Sequence, residues 1–341
     1  FVTPVWNLAI AKELHKRVVI GRVEFIRSDR LAYMRRRFRI ANRISELRHT
    51  DPYFDQMIRN TETLATLPIK LKNGQKFEDV VKKCNSIIED MIAILSLSRC
   101  LYSRRRSRDI FGIGTQPARV WQSYAFLKTI SWPPGHVPRP YWGGQLEGAY
   151  GPFVLNKQWW NWHAKNGFFF LLLNILYGPK RQEVSLKWRK SLERAALFSG
   201  RSWQTTDILQ AFLYNIFALE TLLLEGGGRT EDLAKRIEIF LGWAGFWGHD
   251  KDFIAKVEEM HKVRHNIVHK ADPSGLSLDH LLFSDDLVFN LLLNLVKHYR
   301  IFKQQKDVTT LCQKIEAERI LGLKHTIRPK TFRAMAPRYT D

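Results

Sequence analysis

The sequence predicts a mainly α-helical protein. A C-terminal antiparallel helical bundle is preceded by a basic, mostly helical N-terminal region and a segment of Trp-, Pro- and Gly-rich loops. Three observations predict this. Apolar residues recur at helical spacing over most of the chain. Between 111 and 167 that periodicity gives way to Gly, Pro and aromatics, which break regular helix. Finally, charge is sharply divided. The 341 residues carry a net +21, yet residues 1–110 hold 23 Lys and Arg against 12 Asp and Glu, whereas 183–316 hold 18 of each sign. The expected organisation is a basic helical region at 1–110, an aromatic connecting region at 111–182, a bundle at 183–316 and a basic tail at 317–341.

Taken in order, residues 5–48 read as mostly helical, with apolar positions broken by the basic cluster Arg35, Arg36, Arg37 and Arg39. Such a run is either a solvated face or a set of phosphate contacts. From 77 to 102, Val80, Val81, Cys84, Ile87, Ile88, Met91, Ile94 and Leu95 form one stripe of an amphipathic helix. It runs into Arg104, Arg105, Arg106 and Arg108, where cations suit the C-terminal end of a helix dipole and could also meet RNA. The tryptophans of 111–167, interleaved with Arg119, Arg139, Lys157 and Lys165, are packing anchors or base-stacking platforms. Asp207 caps a helix, ILQAFLYNIFALETLLL, that is apolar nearly all round and so expected to be central. Its Glu220 then needs a partner inside the fold, and Arg264 is the natural one. Gly226-Gly227-Gly228 ends that helix, and a last helix is expected over 278–304.

The stretch 250–270, DKDFIAKVEEMHKVRHNIVHK, carries the chemistry. On a helical wheel Phe253, Val257, Met260, Ile267 and Val268 share one face, and Arg264 falls within roughly 20° of its centre. His261, His265 and His269 follow at spacings of four, with Asn266 between the last two. A guanidinium cannot lose its charge, so Arg264 must pair internally or open into a cleft. Arg264 and His269 lie about 140° apart on a straight helix. Their convergence requires a helix that ends or kinks near 268, which Pro273-Ser274-Gly275 would favour, or a site shared between subunits.

The string Arg264-His265-Asn266-Ile267-Val268-His269 resembles the R-x4-6-H signature of HEPN domains. Phe217-Ala218-Leu219-Glu220-Thr221-Leu222-Leu223 is similar to the ALExLL helix of the ApeA-like branch of that superfamily. A Gly-rich break, a helix like LAKRIEIFLG, the R-x4-H helix and an apolar closing helix follow in the same order, over about 185–310. The resemblance implies a metal-independent endoribonuclease that leaves 2′,3′-cyclic phosphate ends, acting as a toxin or antiviral-defence effector. It also implies a homodimer whose motif helices meet. Carried over, Arg264 and His269 are the catalytic pair and His265 or Asn266 the adjacent polar position. Glu220 would orient Arg264. A non-catalytic relative that binds RNA or a protein partner is the alternative, as is a basic structural protein of a nucleoprotein assembly.

Other chemistries find less support. His265 and His269 have zincin spacing, but Asn266 stands where the catalytic Glu would be, which leaves a structural metal on His261, His265 and His269 as the metal reading. No cofactor loop or G-x-S-x-G string occurs. Cys84, Cys100 and Cys312 are too few and scattered for a disulfide framework, and no apolar run spans a bilayer. A cytoplasmic protein without membrane contact or cofactor is expected, with RNA as its partner.

Overall fold

The computed structural model describes residues 1–14, 17–30, 62–69, 76–99, 111–113, 152–224, 230–241 and 253–323. These fall into two compact units. One takes the described residues within Phe1–Ile92 and Ser107–Trp162, the other those within Ala93–Arg106 and His163–Asp341. The protein is mostly helical with a small antiparallel sheet.

The sheet corrects the helical reading of the N-terminus. Strands β1 (Val2–Trp6), β3 (Val18–Ile20), β4 (Val23–Arg27), β5 (Thr63–Thr66) and β6 (Gly112–Ile113) pair antiparallel in the order β3-β4-β5-β1-β6. Strand β2 (Leu8–Ile10) pairs in parallel with β7 (Phe153–Leu155). The physical reason lies in residues such as Val18-Val19-Ile20 and Val23-Glu24-Phe25-Ile26: β-branched and aromatic side chains suit a pleated surface, and Val18 and Ile20 are buried while Val19 between them is exposed. Ile20 pairs with Val23, leaving a two-residue turn in which Gly21 takes φ +60°. That is the conformation a hairpin of this length asks of its first turn residue. Pro4 is tolerated inside β1 because it pairs with Leu64 on one side, while the described pairing to β6 covers Val5 and Trp6. The cluster Arg35, Arg36, Arg37 and Arg39 lies outside the described residues, as do Arg104, Arg105, Arg106 and Arg108.

Helix α1 (Phe77–Leu97) follows the expected stripe, with Cys84, Ile88, Met91, Ile94 and Leu95 all buried. Helix α2 (Lys157–Asn166) forms where loops were expected. Trp159 is fully buried on it, so this tryptophan is an anchor, while Lys157 and Lys165 face solvent.

The second unit is built from helices joined mostly by short turns. They are α3 (Phe168–Leu176), α4 (Leu186–Ser202), α5 (Ile208–Leu223), α6 (Thr230–Leu241), α7 (Phe253–Lys270), α8 (Leu278–Lys297) and α9 (Gln305–Ile320). Ser185 caps α4, and Asp207 Oδ1 caps α5 by accepting from the Leu209 and Gln210 amides at 2.9 and 3.3 Å. Helices α4 and α5 pack along their length, and α5 also lies on α8. The end of α1 docks closely on α4: a methyl on Gly200 would lie 1.8 Å from the Ala93 carbonyl oxygen, so only glycine fits.

The most buried helix is α8 rather than α5. Every residue from Ser284 to Val296 of α8 is buried, whereas α5 leaves Leu213, Tyr214 and Phe217 half-exposed. Polar residues were tolerated at that depth because each bonds internally. Asn290 Nδ2 donates to the Asp286 carbonyl at 2.8 Å, and Asn294 Nδ2 to the Asn290 carbonyl at 2.9 Å. The helix expected over 278–304 breaks after Lys297, and α9 extends four residues into the segment read as tail. No helix among the described residues is long and apolar enough to cross a membrane.

Candidate active site

Helix α7 presents Phe253, Val257, Met260 and Val263 to the core. Its last turns leave the core, so Ile267 is half-exposed and Val268 is 45% exposed, against the expectation that both complete the stripe. Arg264 sits where the stripe emerges. Its Nη2 donates to Glu220 Oε1 at 2.9 Å, with side-chain exposures of 13% and 21% for Arg264 and Glu220. This is the partnership that a carboxylate on an apolar helix calls for. Glu220 stands near the C-terminal end of α5, so the ion pair ties α5 to α7.

On the other side, Arg264 Nη1 lies 3.5 Å from His269 Nε2. Their approach therefore needs neither a helix that ends or kinks near 268 nor a second subunit: α7 stays helical through Lys270, and one chain supplies both groups. Helical side chains lean toward the N-terminus, so the His269 ring falls back over the preceding turn, and the long arginine stem covers the remaining lateral distance. The His265 and His269 rings stand 4.7 Å apart, tilted by 42°, and both residues are exposed. Arg264 thus has one edge held by Glu220 and another facing an imidazole. Its Nε is buried and has no hydrogen-bond partner among the described residues.

The end of α7 is shaped by Ala271, which takes φ +54°, and by the Asp272 amide, which donates to the Asn266 carbonyl at 3.2 Å. Asn266 contributes that carbonyl to the helix terminus. Asp272 accepts from the Ser274 amide at 3.0 Å, and hydrogen bonds from Ser274 hold its carboxyl below the usual carboxylate range. The turn is continued by Ser277, which caps α8 in a reciprocal box with His280. The His280 Nε2 faces Glu259 Oε1 of α7 at 3.4 Å.

Among the described residues, no three His, Cys, Asp or Glu side chains converge as a metal set. His261 is half-buried on α7, one turn before the exposed pair formed by His265 and His269. His163 is buried against Phe169, at 5.2 Å between ring centroids, and burial pushes its pKa down to about 3. It is an uncharged packing residue. His136, His249, Arg119 and Arg139 lie outside the described residues. The sequence reading missed the exposed cations Lys187, Lys190, Arg194 and Arg201 of α4, because the balanced charge of 183–316 hid how that charge is arranged. Comparison with protein-family models, with curated proteins and with solved structures finds no match to this chain.

Proposed function

We propose that the protein is a metal-independent endoribonuclease of HEPN type, cleaving RNA by attack of a ribose 2′-oxygen on the adjacent phosphorus. The single observation that carries this reading is Arg264 held between Glu220 at 2.9 Å and His269 at 3.5 Å. Glu220 fixes the guanidinium, leaving its His269-facing edge to meet a phosphate and the charge that grows on it. An imidazole serves the proton transfers near neutral pH. His269 takes the 2′-OH proton or protonates the departing 5′-oxygen, and the neighbouring His265 offers a second imidazole for the complementary step. The P–O bond to the 2′-oxygen forms, the P–O5′ bond breaks, and the products carry a 2′,3′-cyclic phosphate and a 5′-OH. Asn266 is the polar position beside the pair. The homodimer and the defence or toxin role belong to the same reading through the sequence resemblance, with the basic N-terminal clusters as further RNA contacts in a cytoplasmic setting.

The test compares wild type with His269→Ala and Arg264→Ala on single-stranded RNA in EDTA, with end-group analysis of products. His269→Ala is expected to lower the rate about 10²–10⁴-fold, and Arg264→Ala about 10²–10³-fold. Cleavage that survives unchanged in both would remove the site assignment. RNA binding without cleavage in all three would favour the non-catalytic alternative.

A further inference from the structure

Helix α4 carries Lys187, Lys190, Arg194 and Arg201, all exposed. On a helical wheel these four fall within about 60° of one another, with their centre about 140° from that of the buried residues Trp188, Leu192, Ala195 and Ser199. They make a straight basic line about 21 Å long at the usual helical rise. None of Lys187, Lys190 and Arg194 meets a carboxylate among the described residues, although other surface cations do, as Arg319 does with Glu238 at 2.8 Å and Arg300 with Glu183 at 3.7 Å. A line of like charges on one helix face is mutually repulsive. It is the kind of feature that a polyanion relieves.

Beside the line lies a row of half-exposed aromatics. Phe198 borders the basic face of α4 and meets α5, stacking on Tyr214 with ring centroids 6.2 Å apart and tilting against Phe217 at 5.7 Å. Tyr214 and Phe217 are on the solvent side of α5, and Glu220 follows Phe217 by about one turn on the same outward half of the helix. From α4 across α5 to α7, the surface therefore passes from cations to aromatic faces to the Glu220–Arg264–His269 cluster. Cations beside ring faces that end at an arginine suit an extended strand of bases and phosphates, since rings stack on any base while cations follow the backbone.

We infer that the outer face of α4 and α5 is a binding track for single-stranded RNA, with Lys187, Lys190 and Arg194 on the phosphates and Phe198, Tyr214 and Phe217 against the bases. It rests on the proposed ribonuclease reading for its direction toward Arg264, but binding itself does not require cleavage. The test therefore uses the full chain carrying His269→Ala, so that no substrate is consumed. Fluorescence anisotropy with a short labelled uridine-rich RNA strand, free or annealed to its complement, is measured across a salt series. The triple variant Lys187→Gln, Lys190→Gln, Arg194→Gln replaces only exposed side chains. Tyr214→Leu keeps apolar bulk on α5 and is checked for native circular dichroism.

The expected result is at least tenfold weaker single-strand binding in the triple variant. Its slope of log K against log salt should fall by about 2, given about 0.7 per single-strand phosphate contact. Tyr214→Leu should weaken single-strand binding about tenfold and leave duplex binding unchanged. A triple variant that binds with wild-type affinity and slope overturns the track. Loss in the triple variant with none in Tyr214→Leu, and equal losses on duplex, also overturns it, because the face is then a general polyanion surface. Separately, loss of cleavage on restoring His269 in the triple variant concerns the track, whereas absence of cleavage in wild type concerns the active-site reading alone.

Discussion

Helices α7 and α8 follow one another in the chain and both place polar residues among apolar ones, yet they use them in opposite ways. In α8 the polar groups lie at full depth and bond to one another, to α5 and to the backbone. Asn215 of α5 donates to Ser284 Oγ at 2.9 Å and to Asp285 Oδ1 at 2.7 Å, and Ser284 Oγ donates in turn to the Leu281 carbonyl at 2.7 Å. In α7 the polar groups rise to the surface with capacity left over: Arg264 has one edge on Glu220, and His265 and His269 are open to solvent. Buried polar groups hold a fold only when every partner is internal. Surface groups that are half-satisfied are free to act on something else. Polarity alone does not separate the two; depth does.

The sharpest way to break that comparison is to remove one partner from each helix's network. Asn215→Ala strips Ser284 and the buried Asp285 of a donor and is expected to cost about 3 kcal/mol of stability. Arg264→Ala, at a site open on one side, is expected to cost about 1 kcal/mol while lowering cleavage about 10²–10³-fold. Urea unfolding of both variants, with rates normalised to folded protein, checks the pair. Equal stability losses would mean that α7's cluster is as structural as α8's.

The difference was only partly legible in the sequence. The Glu220–Arg264 partnership could be read, because a lone carboxylate on a nearly all-apolar helix has few ways to be satisfied. The Asp207 cap and the α1 stripe were readable for the same kind of reason, since local spacing determines them. The centrality of α8 was not, because Asn290 and Asn294 look like interruptions until their bonds to carbonyls four residues back are seen. Nor were the strands. The alternation in Val18-Val19-Ile20 is only three residues long, and the strong helical and basic pattern further on drew the whole N-terminal region toward helix. Gly21 between two β-branched runs was the available hairpin signal. The α4 line was missed because a segment's net charge says nothing about which face carries each sign.

Histidines provide a second, smaller contrast. His163 is enclosed with its pKa near 3, whereas His265 and His269 are exposed. A histidine held neutral in the folded state binds fewer protons than in the unfolded chain at any pH between about 3 and the ordinary value of 6.5. Its stabilising contribution is therefore complete above 6.5 and is lost as pH falls, at up to about 1.4 kcal/mol per pH unit. Between pH 6.5 and 5 this amounts to about 2 kcal/mol. Measured as urea midpoints, the wild-type decline over that window should flatten in His163→Phe. A decline that persists in His163→Phe would place the acid sensitivity elsewhere.

The smallest expected effect lies at the turn that separates the two helices. Ala271 takes a left-handed φ of +54°, where glycine or asparagine is the usual occupant. A side chain there costs about 1–2 kcal/mol, and glycine would relieve this but loses about 0.4–1 kcal/mol through the freer unfolded chain. Ala271→Gly should therefore raise stability by only about 0.5 kcal/mol, whereas Ala271→Val, branched at Cβ, should lower it. Because Ala271 follows His269 by two residues, the rate on RNA is the informative companion. If Ala271→Gly raises stability and leaves cleavage intact, the turn merely ends α7. If it lowers cleavage while the fold gains, the constrained φ is what holds the His269 ring over Arg264, and the surface network of α7 depends on its terminus in a way the buried network of α8 does not.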